Sequence, residues 1–257
     1  MKNIGHPTNL TVFELGAVGY VNINKNNFPF FVLILIAFVF LNNCGIPEPS
    51  YLEKMESSEP WVNPQDAPDD WLLAFIDVET TGLLPGYHEI IDIGIAMTDL
   101  DGNLLDTLFL RVKPRHPGRL SPGAKAVNAF DSQRWEELEA LTIKTSADSI
   151  VSFHHRTAGS KSVLMVAYNS HFDAAFLDHL FRAAGRTWRE LYYYYILDLP
   201  SMAWSLGFRD LTADDLMEIY AVADEPHIPE LHTGITGAML NVRLYRVLLK
   251  HAAEKRH

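Results

Sequence analysis

The chain has 257 residues, of which 48% are apolar, and a formal net charge of −11 from 21 basic and 32 acidic side chains. This composition is that of a folded globular chain, and the single cysteine excludes an internal disulfide and a zinc site built on a CxxC pair. The acidic balance argues against a protein that grips long duplex DNA, because that grip depends on neutralising many phosphates with Lys and Arg.

The first part of the chain, residues 1–54, differs in composition from the rest. It contains neither Arg nor Trp, and its three Lys and three Glu cancel, so the whole net charge falls on residues 55–257. Its apolar run, Phe28–Leu41, is shorter than the roughly 20 residues of a spanning helix and matches the roughly 7–15 residues of a signal-peptide core.

Three interpretations of residues 1–54 stay open: a signal or short membrane anchor, a poorly structured natural extension, or upstream sequence before a true start at Met55. We prefer the last, because no apolar periodicity joins this N-terminal extension to the rest of the chain. Residues 55–69 then form an acidic lead-in. The predicted location is cytoplasmic, and the alternative is membrane association through residues 28–41.

Beyond residue 70 the pattern of apolar runs and turn signals predicts alternating elements. Strands are predicted at Leu72–Ile76, Glu89–Met97, Leu104–Val112, Val163–Tyr168 and Tyr192–Leu197. Helices are predicted at Ser132–Leu141, His171–Ala184, Pro200–Leu206, Thr212–Tyr220 and Thr233–Ala253. A turn signal at Leu100–Asn103 makes the second and third strands a hairpin. Three strands followed by alternating helices and strands predict a mixed-sheet α/β domain.

Several remaining segments are predicted to be structural. Pro114–Gly123 and Ala158–Ser162 are rich in turn residues and predict loops. His154 and His155 adjoin the second loop and are predicted to be exposed. The four tyrosines at Tyr192–Tyr195 favour strand and core over a base-stacking platform.

Two acids follow the first predicted strand. Asp77 and Glu79 are two residues apart, so they point to the same face of the strand. At the end of a buried strand they would repel each other and lose solvation, which a divalent cation with a preference for oxygen ligands would relieve. The Thr80–Gly82 segment after them offers small side chains and backbone amides to a ligand.

Two later residues extend this candidate site. Asp173 follows the fourth predicted strand at the start of a helix. A parallel fourth strand would lie beside the first, with both carboxyl ends at the edge where α/β sites form, although an acid at a helix start is also explained by the helix dipole. His232 precedes the last helix, where an imidazole is either a capping residue or a general base for activating water.

In this order and spacing the segments resemble the DEDD-type 3′→5′ exonucleases of the histidine subclass. This superfamily contains the epsilon-like proofreading subunits of DNA polymerase III, RNase T and oligoribonuclease. The family's D-x-E-T-T-G-L motif is matched throughout Asp77–Leu83, and its N-x-x-F-D motif by Asn169, Phe172 and Asp173. Its H-x-A-x-x-D motif is matched only at His232, because glycines stand at positions 234 and 237.

The resemblance implies an RNase H-like exonuclease fold over residues 70–253, with a five-stranded mixed sheet flanked by helices. It also implies metal-dependent hydrolysis of nucleotides from the 3′ end of single-stranded DNA or short RNA, with two Mg²⁺ or Mn²⁺ ions. Nothing in the sequence supports a polymerase partner or a homodimer.

The resemblance also assigns roles by position. Asp77 would bridge both ions, Glu79 would hold the ion that carries the nucleophilic water, Asp173 would hold the other ion, and His232 would deprotonate the water. The residues implied to bind or support the terminal nucleotide are Thr80, Thr81, Gly82, Leu83, Asn169 and Phe172.

Gly237 departs from the family pattern, since it stands where the fourth acid belongs. No Asp or Glu lies between Glu230 and Glu254, so only a carboxylate distant in sequence could replace that acid. The candidates are Asp92, Asp198, Asp224 and Glu225. The alternative function is therefore a catalytically impaired binding or scaffold module, in which Gly237→Asp should create activity. Gly237 is also predicted to allow close helix–sheet packing together with Gly234.

Overall fold

The computed structural model describes residues 11–14, 20–23 and 62–255. Strands β1 (Thr11–Glu14) and β2 (Tyr20–Ile23) pair antiparallel and belong to a unit separate from residues 62–255. The apolar run at residues 28–41 lies outside the described residues. Within those residues, no helix is both long enough and apolar enough to cross a membrane.

A five-stranded mixed sheet organises residues 62–255. Its strands are β3 (Trp71–Thr80), β4 (Ile90–Thr98), β5 (Leu104–Arg111), β6 (Ser162–Ala167) and β7 (Ile196–Asp198), in the order β5-β4-β3-β6-β7. β4 pairs antiparallel with β3 and β5, while β6 runs parallel to β3 and β7. The predicted hairpin and the parallel placement of the fourth strand beside the first are thus confirmed.

Seven helices accompany this sheet in the described part of the chain. They are α1 (Pro122–Asn128), α2 (Ser132–Glu137), α3 (Ile143–Ala158), α4 (Ser170–Ala183), α5 (Leu199–Ser205), α6 (Asp214–Tyr220) and α7 (Gly234–Glu254). Short 3₁₀ turns lie at Pro68–Asp70, Pro117–Arg119 and Trp188–Glu190. The predicted fold class is confirmed, because a mixed five-stranded sheet flanked by helices is what the structure has.

The central strand β3 is buried on both faces, as expected for a strand covered by helices on each side. Leu72, Ala74, Ile76 and Val78 face the core that contains side chains of α3 and α4. The residues between them face the core built with α5 and α7. This period of two places Asp77 and Glu79 on the face covered by α7, at the carboxyl end of the strand.

Two helices, α1 and α3, were not predicted. In α3 the buried side chains Ile143, Ala147, Ile150, Val151 and His154 recur at helical spacing, but its β-branched residues and serines lower helix propensity. His154 is consequently buried in α3, so the prediction that it is exposed was wrong, whereas His155 is exposed.

The predicted fifth strand begins too early. β7 starts only at Ile196, and the tyrosines precede it in an irregular segment. Tyr192 is buried, whereas Tyr194 and Tyr195 are exposed. The expectation of a strand was therefore wrong for all four tyrosines, and the expectation of a core position was wrong for Tyr194 and Tyr195.

Candidate active site

The acids of the first two motifs meet at the carboxyl end of β3. The backbone amide of Val78, which lies between Asp77 and Glu79, donates a hydrogen bond to Oδ1 of Asp173 at 3.1 Å. Asp173 is 3% exposed and Glu79 7% exposed, while Asp77 keeps a partly accessible surface. The first turn of α4 thus places the third carboxylate against the backbone that carries the other two.

This concentration of acids disfavours their charged forms. Burial raises the pKa of Asp77 well above its ordinary range, and repulsion from Asp173 and Glu79 raises it further. Burial likewise raises the pKa of Asp173, against the lowering effect of its backbone hydrogen bonds. Within residues 62–255, no Lys or Arg forms a salt bridge with any of the three acids.

Both oxygens of Glu79 have polar partners. Oε1 lies 2.9 Å from Nε2 of His232, and Oε2 accepts a hydrogen bond from Nδ2 of Asn128 at 3.2 Å. Asn128 also donates to the carbonyl of Thr80 at 3.0 Å. It therefore fixes both the side chain of Glu79 and the end of its strand.

Asn128 was not predicted as a site residue, because its helix α1 was not predicted. The available signal was Ser121-Pro122, an N-cap residue followed by proline at the first helical position. The Ser121 hydroxyl indeed accepts the backbone N–H of Ala124. A helix started there ends at Asn128.

His232 lies between two carboxylates just before α7. Its Nε2 faces Glu79, and its Nδ1 lies 3.3 Å from the carbonyl of Pro226 and 3.5 Å from Oε2 of Glu225. The hydrogen bond with Glu79 is the main cause that raises the pKa of His232 to about 9. The structure thus brings the histidine of the third motif onto the acids of the first.

Helix α7 approaches the sheet through glycines. A Cβ built on Gly237 would lie 2.4 Å from Oδ2 of Asp77. One built on Gly234 would lie 2.5 Å from the carbonyl oxygen of Asp77, and one on Gly94 2.2 Å from the backbone of Gly234. These distances are shorter than any normal carbon contact, so the prediction of close helix–sheet packing at Gly234 and Gly237 is confirmed.

Two of the four distant carboxylates lie near this site. Oδ1 of Asp92, the β4 residue paired with Glu79, accepts the backbone N–H of Gly234 at 2.8 Å, and burial raises the pKa of Asp92 to about 7. Glu225 reaches His232. In contrast, Asp198 accepts N–H groups at the starts of α4 and α5, and Asp224 pairs with His227 at the surface.

The six residues expected around the terminal nucleotide differ in accessibility. Leu83 is 77% exposed beside the site, and Asn169 is exposed with a left-handed backbone (φ 63°) that asparagine tolerates. Gly82 is buried, and Phe172 packs on Phe176 with ring centroids 4.8 Å apart.

The two threonines of the first motif are both buried. The Thr80 hydroxyl donates to the carbonyl of Gly82, and the Thr81 hydroxyl accepts the N–H of Glu89. Thr81 is 0% exposed, so its side chain lies in the β3–β4 connection and has no surface that a nucleotide could reach.

The donor set suits a hard divalent cation. Carboxylates are the ligands that Mg²⁺ and Mn²⁺ prefer, and a cation would relieve the repulsion among these three, which form no salt bridge with a Lys or Arg of residues 62–255. Among residues 62–255, however, no three acidic, histidine or cysteine side chains already surround one point at metal-ligand distance. Glu79 faces His232 and Asn128, so ligand side chains would have to turn toward an ion.

Comparison with known proteins places this geometry in context. The profile of the RNase T family, described as exonuclease, matches residues 74–245. No curated protein sequence matches the chain.

Solved structures with the same fold include Escherichia coli exonuclease I in complex with a dT13 oligonucleotide (TM-score 0.58, 15% identity, 72% of this chain and 42% of that one). Exonuclease I from Methylocaldum szegediense is also similar (TM-score 0.55, 18% identity, 70% and 40%). A zinc-bound E. coli exonuclease I–single-stranded DNA complex matches with a TM-score of 0.56, 16% identity and coverage of 71% and 41%. The chain therefore spans about two fifths of the length of these proteins.

Proposed function

Because the chain belongs to the RNase T family of exonucleases, we propose that it is a metal-dependent 3′→5′ exonuclease. Its substrate would be the 3′ end of single-stranded DNA or short RNA. The observation that carries this proposal is the group of three buried or partly buried carboxylates, Asp77, Glu79 and Asp173, beside His232 and without a Lys or Arg salt bridge among the described residues.

Each residue of the site would have a separate role in phosphodiester hydrolysis. Asp77 would serve both of two Mg²⁺ or Mn²⁺ ions, Glu79 one of them and Asp173 the other. When bound, such ions activate water, orient the phosphate and stabilise the charge that develops on it. Nε2 of His232 would accept the proton of the attacking water, since that nitrogen faces the carboxylates. Asn128 would keep Glu79 in place.

The choice of a single strand is supported by two considerations. The similar exonuclease I structures are complexes with oligonucleotides in several cases, and the net charge of −11 does not suit a broad contact with duplex phosphates. A short 3′ end held through metal ions needs fewer basic side chains.

The test is hydrolysis of single-stranded oligonucleotides labelled at the 3′ terminus, as DNA and as RNA, with Mg²⁺ or Mn²⁺. We expect release of labelled mononucleotides, inhibition by EDTA and by a blocked 3′ hydroxyl, and loss of activity in Asp77→Asn. The isosteric amide keeps the size of Asp77 but removes its charge. Equal activity of wild type and Asp77→Asn, or cleavage only at internal bonds, would contradict the proposal.

A second candidate function is a module of the same fold that binds a single strand without cleaving it. It is favoured by the close approach of Gly237 to Asp77. The carboxylate of Asp77 occupies the space in which the side chain of the family's fourth acid would begin. Binding of a 3′-labelled oligonucleotide, measured by fluorescence anisotropy, without any product in Mn²⁺ would support this function and reject hydrolysis.

A further inference from the structure

The charges of the chain are divided unevenly between two segments that touch the candidate site. The basic segment, residues 107–130, contains five Lys and Arg and no acid, although the whole chain has a net charge of −11. The acidic segment, residues 210–242, contains seven Asp and Glu and neither Lys nor Arg. Asn128 of the basic segment and His232 of the acidic segment contact different oxygens of Glu79. The site therefore has cationic side chains beside it on one side only.

Hydrogen bonds of its backbone fix the basic segment beside the first motif. The N–H of Ser121 donates to the carbonyl of Thr81 at 2.8 Å, and the N–H of Arg115 donates to Oε1 of Glu89 at 3.1 Å. Both acceptors belong to the connection between β3 and β4, which begins at the acids of the site. The connection and the basic segment consequently form one surface that is continuous with the first motif.

An arginine–tyrosine pair joins the two parts of this surface. The guanidinium of Arg119 lies over the ring of Tyr87, 4.7 Å from its centroid, and Nη1 donates to the carbonyl of Tyr87 at 3.1 Å. Tyr87 is 53% exposed, and the neighbouring Leu84 is also exposed. Arginine has five N–H donors, so the anchored guanidinium still has donors for a phosphate. The exposed part of the ring offers a base a surface on which to stack.

The cations of this surface are free of acidic partners. Arg115, Arg119 and Lys125 form no salt bridge with any acid of residues 62–255. Arg115 and Lys125 are exposed, and Arg119 is half-buried. Unpaired cations interleaved with an exposed aromatic ring match the alternating phosphates and bases of a single strand. The acidic segment would repel the same strand from the opposite side of the site.

We propose that the nucleotides upstream of the 3′ end lie on a strand surface formed by Leu84, Tyr87, Arg115, Arg119 and Lys125. One base stacks on Tyr87, and an adjoining phosphate binds Arg119. This proposal rests on the proposed exonuclease function, which places the 3′ end at the acids. It adds the direction in which the strand leaves the site, over the basic segment and away from the acidic one. The surface suits a single strand, because the bases of a duplex are stacked on one another and are not free to bind Tyr87.

The first experiment measures binding without hydrolysis. A fluorescein-labelled oligothymidylate of about 12 nucleotides is titrated with the full chain in EDTA over a series of KCl concentrations, and fluorescence anisotropy gives Kd. Arg119→Ala should weaken binding and lower the salt slope by about 0.7, the contribution of one phosphate contact on a single strand. Arg119→Lys keeps the charge and should keep the slope.

The ring of Tyr87 is tested in the same assay. Tyr87→Ala should weaken binding about 5- to 150-fold, the effect of losing one stacked base, with the salt slope nearly unchanged. Tyr87→Phe should bind like the wild type, because it keeps the ring. A loss in Tyr87→Phe equal to that in Tyr87→Ala would reject stacking on this residue.

The chain offers a matched control in Arg209. Its guanidinium lies over the ring of Trp204, 4.3 Å from the centroid, and Nη1 donates to the carbonyl of Trp204. Arg209→Ala removes the same charge from a pair of the same construction next to the acidic segment, and it should leave Kd and the salt slope nearly unchanged. Equal effects of Arg209→Ala and Arg119→Ala would assign binding to the overall charge and reject the strand surface.

The second experiment uses hydrolysis in Mg²⁺ and varies the length of the substrate. The wild type should have a lower KM for the long oligothymidylate than for the dinucleotide, since only the long substrate reaches the strand surface. Arg119→Ala and Tyr87→Ala should raise the KM of the long substrate and leave kcat and the KM of the dinucleotide unchanged.

The outcomes separate this proposal from the exonuclease function. If the wild type hydrolyses nothing but the variants lose binding as expected, the strand surface stands as a binding site and the exonuclease function fails. If the wild type releases mononucleotides but neither Arg119→Ala nor Tyr87→Ala changes Kd or KM, the exonuclease function stands and the strand surface is wrong. Failure of the wild type to bind the oligothymidylate in EDTA would also reject the strand surface.

Discussion

The backbone of Gly237 lies against the carboxylate of Asp77, so that a Cβ at position 237 would be 2.4 Å from Oδ2 of Asp77. The position of the fourth acid in the family pattern is thus occupied by the side chain of the first. Insertion of an acid there would push the carboxylate of Asp77 away from its neighbours.

We therefore expect Gly237→Asp to lower activity, in contrast to the gain that the sequence alone suggests. Gly237→Ala should destabilise the fold by about 1–3 kcal/mol through overpacking. Urea unfolding and the oligonucleotide assay measure the two effects. Gly123→Ala is the control, because a Cβ there meets no atom within 4 Å and alanine is the better helix residue. A gain of activity in Gly237→Asp would show that α7 can lift from the sheet.

Metal binding should release a proton from His232. In the metal-free protein its pKa is raised to about 9, mainly by the hydrogen bond with Glu79, so the ring is charged at about pH 8. An ion bound by Glu79 would compensate the charge of its carboxylate and so remove this cause. The pKa of His232 would then fall, and the ring would lose its proton.

Calorimetric titration with Mg²⁺ in HEPES and in Tris measures this release, because the two buffers differ in ionisation enthalpy. We expect His232→Gln to release about one proton fewer than wild type. Identical release in both proteins would mean that Glu79 does not give up its contact with His232 when the ion binds.

Asp92 should make the metal-free fold less stable as the pH rises. Burial raises its pKa from 3.8 to about 7, so the folded state binds the proton more tightly than the unfolded state does. Stability from this group is complete below about pH 4 and is lost as the pH rises through about 7. Three pKa units correspond to about 4 kcal/mol at most.

Unfolding in EDTA at a series of pH values tests this expectation. Asp92→Asn should flatten the decline between about pH 4 and 7, because the amide oxygen can still accept the Gly234 N–H without titrating. The same slope in variant and wild type would assign the decline to other groups.

Asn128→Ala should weaken both the metal site and the fold. It removes the donor to Oε2 of Glu79 and to the carbonyl of Thr80. Loss of such a supporting partner lowers metal affinity or activity about 10- to 100-fold, and the unsatisfied buried carbonyl costs about 1–3 kcal/mol. Ser121→Ala is the matched control: it removes the N-cap of the same helix and has no contact with Glu79. Mn²⁺ affinity unchanged in Asn128→Ala would reject this role.

The sequence predicts the sheet well because its strands are short apolar runs with clear limits. β3, β4 and β6 are buried almost throughout, and their apolar runs mark them clearly. The predicted first strand nevertheless ended at Ile76, because the polar residues Asp77, Glu79 and Thr80 continue β3 to Thr80. α3 escaped prediction because it is rich in β-branched residues, which tertiary packing holds in a helix. The tyrosines before β7 were predicted as strand because their β propensity is high, but the regular ladder with β6 begins only at Ile196.

The acids of the candidate site could be predicted because they lie in local motifs: Asp77 and Glu79 at the carboxyl end of β3, and Asp173 at the start of the helix after β6. Asn128 was not predicted, because its contact with Glu79 joins residues 49 positions apart and lies outside every motif. The effect of Gly237 was equally hidden, since only the structure shows what a side chain there would meet.

The glycine contacts beneath α7 also restrict which sequences this chain can reach by single mutation. Position 94 meets the backbone at position 234, and positions 234 and 237 both meet Asp77. None of these three glycines can take a larger side chain while the other two hold α7 at its present distance from the sheet. Introducing the family's alanine at position 234 and aspartate at position 237 would therefore require coordinated changes on β4 and α7, because each single change meets a close contact.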